Sequence, residues 1–138
     1  MQPLRALSIR QPWAHAIIRM GKDLENRSAA YSHRGPLLIH ASGSMTQDEY
    51  TEAWQFMADR GIALGGMHKR SELPLGGIVG MVEVTGCVQE SDSPWWMGPN
   101  ALVLANARPL PFVACPGTIA PMFWTPSDEV IEQLRPHL

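Results

Sequence analysis

The stretch Gly77–Val88, GIVGMVEVTGCV, decides the fold. It is rich in valine and isoleucine and lacks the spacing of a helix, which predicts one long strand. Gly80 and Gly86 lie inside that strand, where glycine marks a bulge or a bend. Bends of this kind let a sheet close on itself, so the stretch predicts part of a barrel-like sheet.

Shorter strands are predicted on both sides of this stretch. Alternating or continuous apolar runs predict strands at residues 5–10, 24–27, 37–41, 101–105 and 111–113. Residues 108–111, RPLP, predict a stiff turn between the last two of these strands.

Three helices are predicted from caps and helical spacing. The first begins at Gln11-Pro12 and ends at Gly21. Thr46 and Glu49 form a capping-box pattern that begins the second helix, and Ser127 caps a short last helix. Five to six short strands with two to three flanking helices predict an α+β mixed barrel.

Length and composition limit the class of protein. A chain of 138 residues with 45% hydrophobic residues fits one domain, residues 1–138. No apolar run approaches the roughly 18–20 residues that span a bilayer, and no secretory signal is evident, so we expect a cytoplasmic protein without a membrane partner.

Cys87 and Cys115 form no CxxC pair and are expected to be reduced thiols. No cofactor or metal site is predicted.

Charge is distributed unevenly along the chain. The net charge of −2 argues against a protein that coats polyanions indiscriminately. Residues 1–34 nevertheless carry six basic and two acidic groups, a local charge of +4. The cluster indicates either a site that faces an anion or a chance group of solvated arginines.

The stretch at residues 21–27, GKDLENR, is the first candidate site. On a strand Glu25 and Arg27 project from the same face, and Lys22 lies just before that strand. Such a trio can read phosphate or a base edge through Arg27, or carry out proton chemistry through Lys22 and Glu25. The alternative is an ordinary ion-paired surface strand.

Further candidates lie at residues 10–13 and in two loops. Arg10, Gln11 and Trp13 stand at a strand-to-helix junction, where helix N–H groups attract anions, although Trp13 is also suited to the core. Arg34 adds a cation to a loop. Two neighbouring tryptophans, Trp95 and Trp96, predict either a base-stacking side chain or a plug for the barrel end.

Several of these stretches together resemble the ASCH domain, named for the activating signal cointegrator, in its free-standing bacterial form. They are ALSIRQPWA at 6–14, GKDLENRS at 21–28, HRGPLLIHAS at 33–42, LGGIVG at 75–80 and LANARPLPF at 104–112. The resemblance implies a PUA-like pseudo-barrel with helices at one side. It also implies a cleft that holds the family motif G-x-K-x-x-E-x-R, carried over here to Gly21, Lys22, Glu25 and Arg27.

What the resemblance implies about function is RNA or nucleic-acid binding. Some free-standing relatives look like enzymes, an amidohydrolase acting on acetylated cytidine and ribonucleases, and this would make Lys22 catalytic. The acetylcytidine type has threonine where this chain has Glu25. Many relatives carry a tryptophan where this chain has residues 28–31, SAAY, so the aromatic wall of the cleft is expected either to be missing or to be supplied by Tyr31, Trp95 or Trp96.

Three hypotheses follow. The first is a module that binds RNA, a nucleotide or a nucleoside through Arg10, Lys22, Arg27, Arg34 and an aromatic side chain. The second is a hydrolase acting on a modified nucleoside or on RNA with Lys22 and Glu25. The third is a protein-interaction adaptor, and the oligomeric state is open under all three.

Overall fold

The computed structural model describes residues 3–118 and 123–138. Its strands are β1 (Ala6–Ile9), β2 (Leu24–Arg27), β3 (Gly35–Ala41), β4 (Gly77–Val88) and β5 (Asn100–Ala114), and its helices are α1 (Trp13–Arg19), α2 (Gln47–Asp59) and α3 (Asp128–Leu134). Within these residues the strands form one sheet in the order β1-β3-β4-β5-β2. Only the β1–β3 pair among them is parallel. The sheet curls into a half-barrel, which confirms the predicted α+β class.

The curl is concentrated in the long β4–β5 pair. Its register shifts three times along β4, and two of the shifts fall at Gly80 and Gly86. An extra residue on one strand of a pair bends that strand and increases its twist. The prediction that these two glycines mark bulges is therefore confirmed.

The predicted turn at residues 108–111 is wrong, because these residues lie inside β5. Pro109 pairs with Gly80 and Val113 pairs with Ile78, so residues 110–112 oppose the single residue Val79. Proline donates no backbone hydrogen bond and is tolerated in a sheet at such a bulge. Two predicted short strands are consequently one strand of 15 residues.

Both faces of the sheet are covered. On one face Leu37 and Ile39 of β3 pack in one cluster with Ala14 and Ile17 of α1. Leu38 points to the other face and shares a second cluster with residues of α3. The alternation along β3 thus divides its apolar side chains between two layers, one under α1 and one under α3.

A chain of buried hydrogen bonds holds the C-terminal segment against the sheet. His40 Nε2 lies 2.8 Å from the Cys115 carbonyl oxygen, so this nitrogen carries the proton and Nδ1 accepts from Ser8 Oγ at 3.1 Å. Ser8 Oγ in turn accepts from Trp124 Nε1 at 3.1 Å. Burial lowers the pKa of His40 from its ordinary value of 6.5, which favours the neutral ring. His40 is therefore a core histidine with both ring nitrogens in use.

No helix in residues 3–118 or 123–138 is long and apolar enough to cross a membrane.

Gly80→Ala should destabilise the protein, because a Cβ at this position would lie 2.5 Å from Ile18 Cδ1 and 2.6 Å from the Arg108 carbonyl oxygen. Overpacking of this kind lowers the free energy of unfolding by about 1–3 kcal/mol. Gly86→Ala is the matched control, since its Cβ would meet nothing closer than Val103 Cγ2 at 3.7 Å. Urea unfolding of the two variants measures the difference, and equal losses would contradict this account of β4.

Candidate functional site

Three charged side chains form a buried ion triad at the start of β2. Lys22 Nζ lies 3.2 Å from Glu25 Oε1, and Arg27 Nη2 lies 2.8 Å from Glu25 Oε2. The side chains of Lys22, Glu25 and Arg27 are only 4%, 12% and 9% exposed. Glu25 and Arg27 lie on one face of the strand, as the alternation predicts, and one carboxylate is shared by two cations.

The turn between α1 and β2 brings Lys22 to this carboxylate. Gly21 adopts a φ of +73°, a conformation that glycine reaches without strain, and Lys22 N donates to the Ala16 carbonyl oxygen at 3.1 Å. Lys22 Nζ also donates to the carbonyl oxygen of Leu24. Gly21 thus acts through the turn and does not line the cleft, and because it directly precedes Lys22 the stretch reads G-K-x-x-E-x-R rather than G-x-K-x-x-E-x-R.

Two adjoining pockets open beside the triad, and together we call them the cleft. The arginine pocket has a volume of about 470 Å³, and its lining includes Arg10, Trp13, Glu25, Arg27, Ser42 and Ser44. The lysine pocket has a volume of about 160 Å³ and is lined by Trp13, Lys22, Glu25, Asn26, Phe56 and Met97. The pockets share Trp13, Glu25 and Asn26, so a single ligand can extend through both.

Trp13 is the aromatic wall common to the two pockets. Its ring meets Phe56 edge to face, with centroids 5.3 Å apart and planes at 89°, and Lys22 Nζ lies 5.8 Å from its centroid. Half-buried Trp13 also packs on the core. The two uses predicted for this residue, core packing and a ligand wall, are therefore compatible.

The α2 capping box positions Arg10 at the rim of the arginine pocket. Glu49 Oε1 accepts from Thr46 N at 3.0 Å, while Glu49 Oε2 accepts from Arg10 Nη1 at 2.8 Å. The hydrogen bond from the Thr46 backbone, with a smaller contribution from Arg10, lowers the pKa of Glu49. Glu49 is therefore held as an anion that caps the helix and orients the arginine.

Asn26 fixes the loop at residues 93–99 against the cleft. Its Nδ2 donates to the Trp95 carbonyl oxygen at 3.0 Å, and its Oδ1 accepts from Met97 N at 2.8 Å and Gly98 N at 3.1 Å. Arg60 of the C-terminal end of α2 donates to the Trp96 carbonyl oxygen on the same loop. These contacts hold Met97 at the lysine pocket.

Gln11 lies away from the cleft, although it was predicted to bind the ligand. Its Nε2 donates to the Pro74 carbonyl oxygen at 3.0 Å, and its Oε1 accepts from His15 N at 2.9 Å. The side chain borders a separate second cavity of about 230 Å³, which His68 and Phe112 also line. Gln11 is buried and both ends of its amide hold neighbouring backbone, so the side chain does not face the cleft.

Arg34, Trp95 and Trp96 also lie outside the lining of the cleft. Arg34 donates from the exposed loop to the carbonyl oxygens of Tyr31 and His33, at 3.0 and 2.8 Å. Trp95 is 4% exposed and belongs to the core, and half-buried Trp96 packs on the same cluster. Tyr31 stacks on Phe123, with ring centroids 5.4 Å apart. The predicted aromatic wall comes from Trp13 and Phe56 instead.

Sequence reasoning missed several residues that line the cleft, among them Ser42, Ser44, Phe56 and Met97. Ser42 and Ser44 follow β3, where a run of small polar residues precedes the Thr46 cap. Phe56 lies on α2 but does not belong to the apolar spacing that predicts the helix. An aromatic residue outside that spacing could have indicated a role other than core packing. No sequence pattern points to Met97, because its position depends on the hydrogen bonds between Asn26 and the loop.

No cluster of three or more potential metal ligands occurs within residues 3–118 and 123–138.

The ASCH domain family model matches residues 7–109 of the chain. The chain therefore belongs to the ASCH domain family. No curated protein sequence matches it.

The fold is similar to that of solved ASCH proteins from Zymomonas mobilis. A mutant form of ZmASCH superposes with a TM-score of 0.59 at 11% sequence identity, covering 98% of both chains. The ASCH protein from the same organism gives a TM-score of 0.58 at 11% identity, covering 96% of this chain and 93% of its own. At such low identity the likeness concerns the fold alone.

Glu25→Ala should strongly destabilise the protein, because it leaves the buried Lys22 and Arg27 cations uncompensated. Breaking a buried pair in this way costs about 3–5 kcal/mol. Glu132→Ala is the matched control, since it breaks the exposed pair with Arg135 at 3.1 Å and exposed pairs contribute about 0.2–1 kcal/mol. Denaturant unfolding compares the two, and a loss for Glu25→Ala as small as that for Glu132→Ala would contradict the buried triad.

Proposed function

We propose that the protein binds single-stranded RNA or a nucleotide in the cleft. The observation that carries the proposal is a pocket of about 470 Å³ that combines two arginines with an aromatic wall, Arg10, Arg27 and Trp13. Arginine binds phosphate through its planar set of donors, and an aromatic face stacks on any base. The volume falls within the range of about 300–1,000 Å³ for ligand pockets.

The charge of the cleft favours a ligand with few phosphates. Arg10, Lys22 and Arg27 supply three cations, and Glu25 and Glu49 pair with them as two carboxylates. One net positive charge remains, so the ligand gains little from long-range attraction. Affinity then depends on the few phosphates that contact arginine and on the base against the aromatic wall.

Arg10→Ala should weaken binding of a short labelled single-stranded RNA and flatten its dependence on salt. Each lost phosphate contact reduces the slope of log K against log salt by about 0.7 for single strands. Fluorescence anisotropy at several salt concentrations measures both quantities. Arg10 lies on the surface with 58% of its side chain exposed, so the variant keeps the fold.

Arg135→Ala is the matched control for that experiment. Arg135 is 65% exposed and pairs with Glu132, as Arg10 pairs with Glu49, but it lies on the C-terminal segment rather than in the lining of the cleft. Affinity that ignores salt, or that falls equally in the two variants, would contradict RNA binding in the cleft. Full affinity after loss of both Arg10 and Lys22 would favour the adaptor hypothesis.

The second candidate function is hydrolysis of a modified nucleoside or of RNA. It is favoured by the placement of the Lys22 ammonium 3.2 Å from the Glu25 carboxylate at the wall of a small pocket. A buried lysine and carboxylate in contact can activate water and move a proton between them. Arg27 would stabilise negative charge that develops on the substrate.

Lys22→Met should abolish product formation if this second function is correct, because it removes the amine and keeps much of the apolar stem. Chromatography of a panel of modified nucleosides and short RNAs after incubation with each protein detects the products. Circular dichroism checks that the variant is folded. Identical product profiles for the wild type and the variant across the panel would exclude hydrolysis by Lys22.

A further inference from the structure

The two pockets of the cleft differ in their chemistry. The arginine pocket presents the guanidinium groups of Arg10 and Arg27, which pair with the carboxylates of Glu49 and Glu25. The small polar residues Ser42 and Ser44 also line it. The lysine pocket balances one ammonium, Lys22, against the same carboxylate, and its other walls include Trp13, Phe56 and Met97. The arginine pocket therefore offers guanidinium and hydroxyl donors that suit a phosphate, and the lysine pocket offers apolar walls that suit an uncharged flat ring.

Size supports the same division. The lysine pocket, at about 160 Å³, is too small for a whole nucleotide, since pockets for drug-sized ligands begin at about 300 Å³. The arginine pocket, at about 470 Å³, has room for a sugar and its phosphate. Because the pockets share Trp13, Glu25 and Asn26, one nucleotide can place its base in one pocket and its phosphate in the other.

Met97 is an exposed apolar residue at the lysine pocket. The residue is 58% exposed, although Asn26 fixes its backbone at 2.8 Å and the loop around it packs against the core. A single exposed apolar side chain is ordinary on a protein surface. This one is held at a pocket with Phe56 and Trp13, where a flat ring would cover it.

Lys22 offers one directed contact to such a ring. Two of its three ammonium protons are used by the Leu24 carbonyl oxygen and by Glu25 Oε1. The third is available for a ring nitrogen or carbonyl oxygen. A base in this pocket would meet one polar contact, from Lys22, and three apolar walls, from Trp13, Phe56 and Met97.

We propose that one nucleotide binds with its base in the lysine pocket and its phosphate in the arginine pocket, and that Met97 is a base-contacting residue. The inference rests on the proposed function of RNA or nucleotide binding, to which it adds the direction of the ligand. It assigns separate parts of the ligand to Met97 and Arg10, which makes their contributions separable.

The test compares two labelled probes in fluorescence anisotropy, a single-stranded oligoribonucleotide and an abasic oligonucleotide of the same length and charge. Met97→Ala should weaken binding of the base-bearing probe by about tenfold, the size of one lost base contact, and leave binding of the abasic probe unchanged. Arg10→Ala should weaken binding of both probes by the same factor, because both carry the phosphates.

Phe112→Ala is the control for Met97→Ala. Phe112 is 46% exposed and lines the second cavity rather than the cleft, so its loss should change binding of neither probe. A loss for Phe112→Ala that equals the loss for Met97→Ala would overturn the proposal by moving the base to the second cavity. An equal effect of Met97→Ala on the two probes would overturn it too.

If the proposed function is wrong, the same experiment gives a different result. A wild-type protein that binds neither probe at low salt contradicts RNA binding and with it this inference. A wild-type protein that binds both probes with Arg10-dependent affinity, while Met97→Ala has no effect, keeps the proposed function and overturns only the base pocket.

Discussion

The Glu25 carboxylate, shared between the Lys22 ammonium and the Arg27 guanidinium, is the interaction on which the site depends. These three charged side chains are nearly removed from water, and they are tolerated only together. Burying any one of them alone would leave its desolvation cost uncompensated. Glu25 lies on β2, a four-residue strand that pairs with β5 at the edge of the sheet. The triad thus ties the turn after α1 to this edge strand and forms the floor of the cleft.

Stability alone does not account for keeping three buried charges. Apolar replacement of a buried ion pair is often neutral or stabilising, so such a pair is weak support for a purely structural role. The triad is also incompletely satisfied, because Arg27 Nε is buried without a hydrogen-bond partner among the described residues. A buried donor left unsatisfied calls for an explanation, and one at the wall of a cleft can be satisfied by a ligand.

The parts of the structure that could be predicted are those set by nearby residues. Strand alternation placed Glu25 and Arg27 on one face, and the Thr46–Glu49 pattern predicted the capping box that the structure contains. The lysine pocket could not be predicted in this way. Phe56 comes from α2 and Met97 from a loop near β5, and only tertiary packing brings them to Lys22.

Two expectations differ from the structure for the same physical reason, since in each case contacts with residues distant in the sequence outweigh the local sequence pattern. Residues 108–111 have the proline content of a turn, yet a bulge opposite Val79 accommodates them in β5. Trp95 and Trp96 predict either a base-stacking ring or a plug for the barrel end, and neither ring lines the cleft, because the loop is fixed through Asn26 and Arg60 and both rings pack towards the core cluster that contains Trp95. Met97, the next residue, takes the exposed place instead.

The N-terminal cluster of basic residues shows how much of the site can be predicted from composition. Of its six basic residues, Arg5 and Arg34 bind backbone carbonyl oxygens away from the cleft. Arg10, Lys22 and Arg27 reach the cleft, but each is paired with a carboxylate. The local charge of +4 in the sequence therefore shrinks to a weakly positive surface at the site. A ligand of such a surface must gain much of its affinity from contact with the aromatic and thioether walls, and this is the physical reason for proposing recognition of a base rather than attraction of a polyanion.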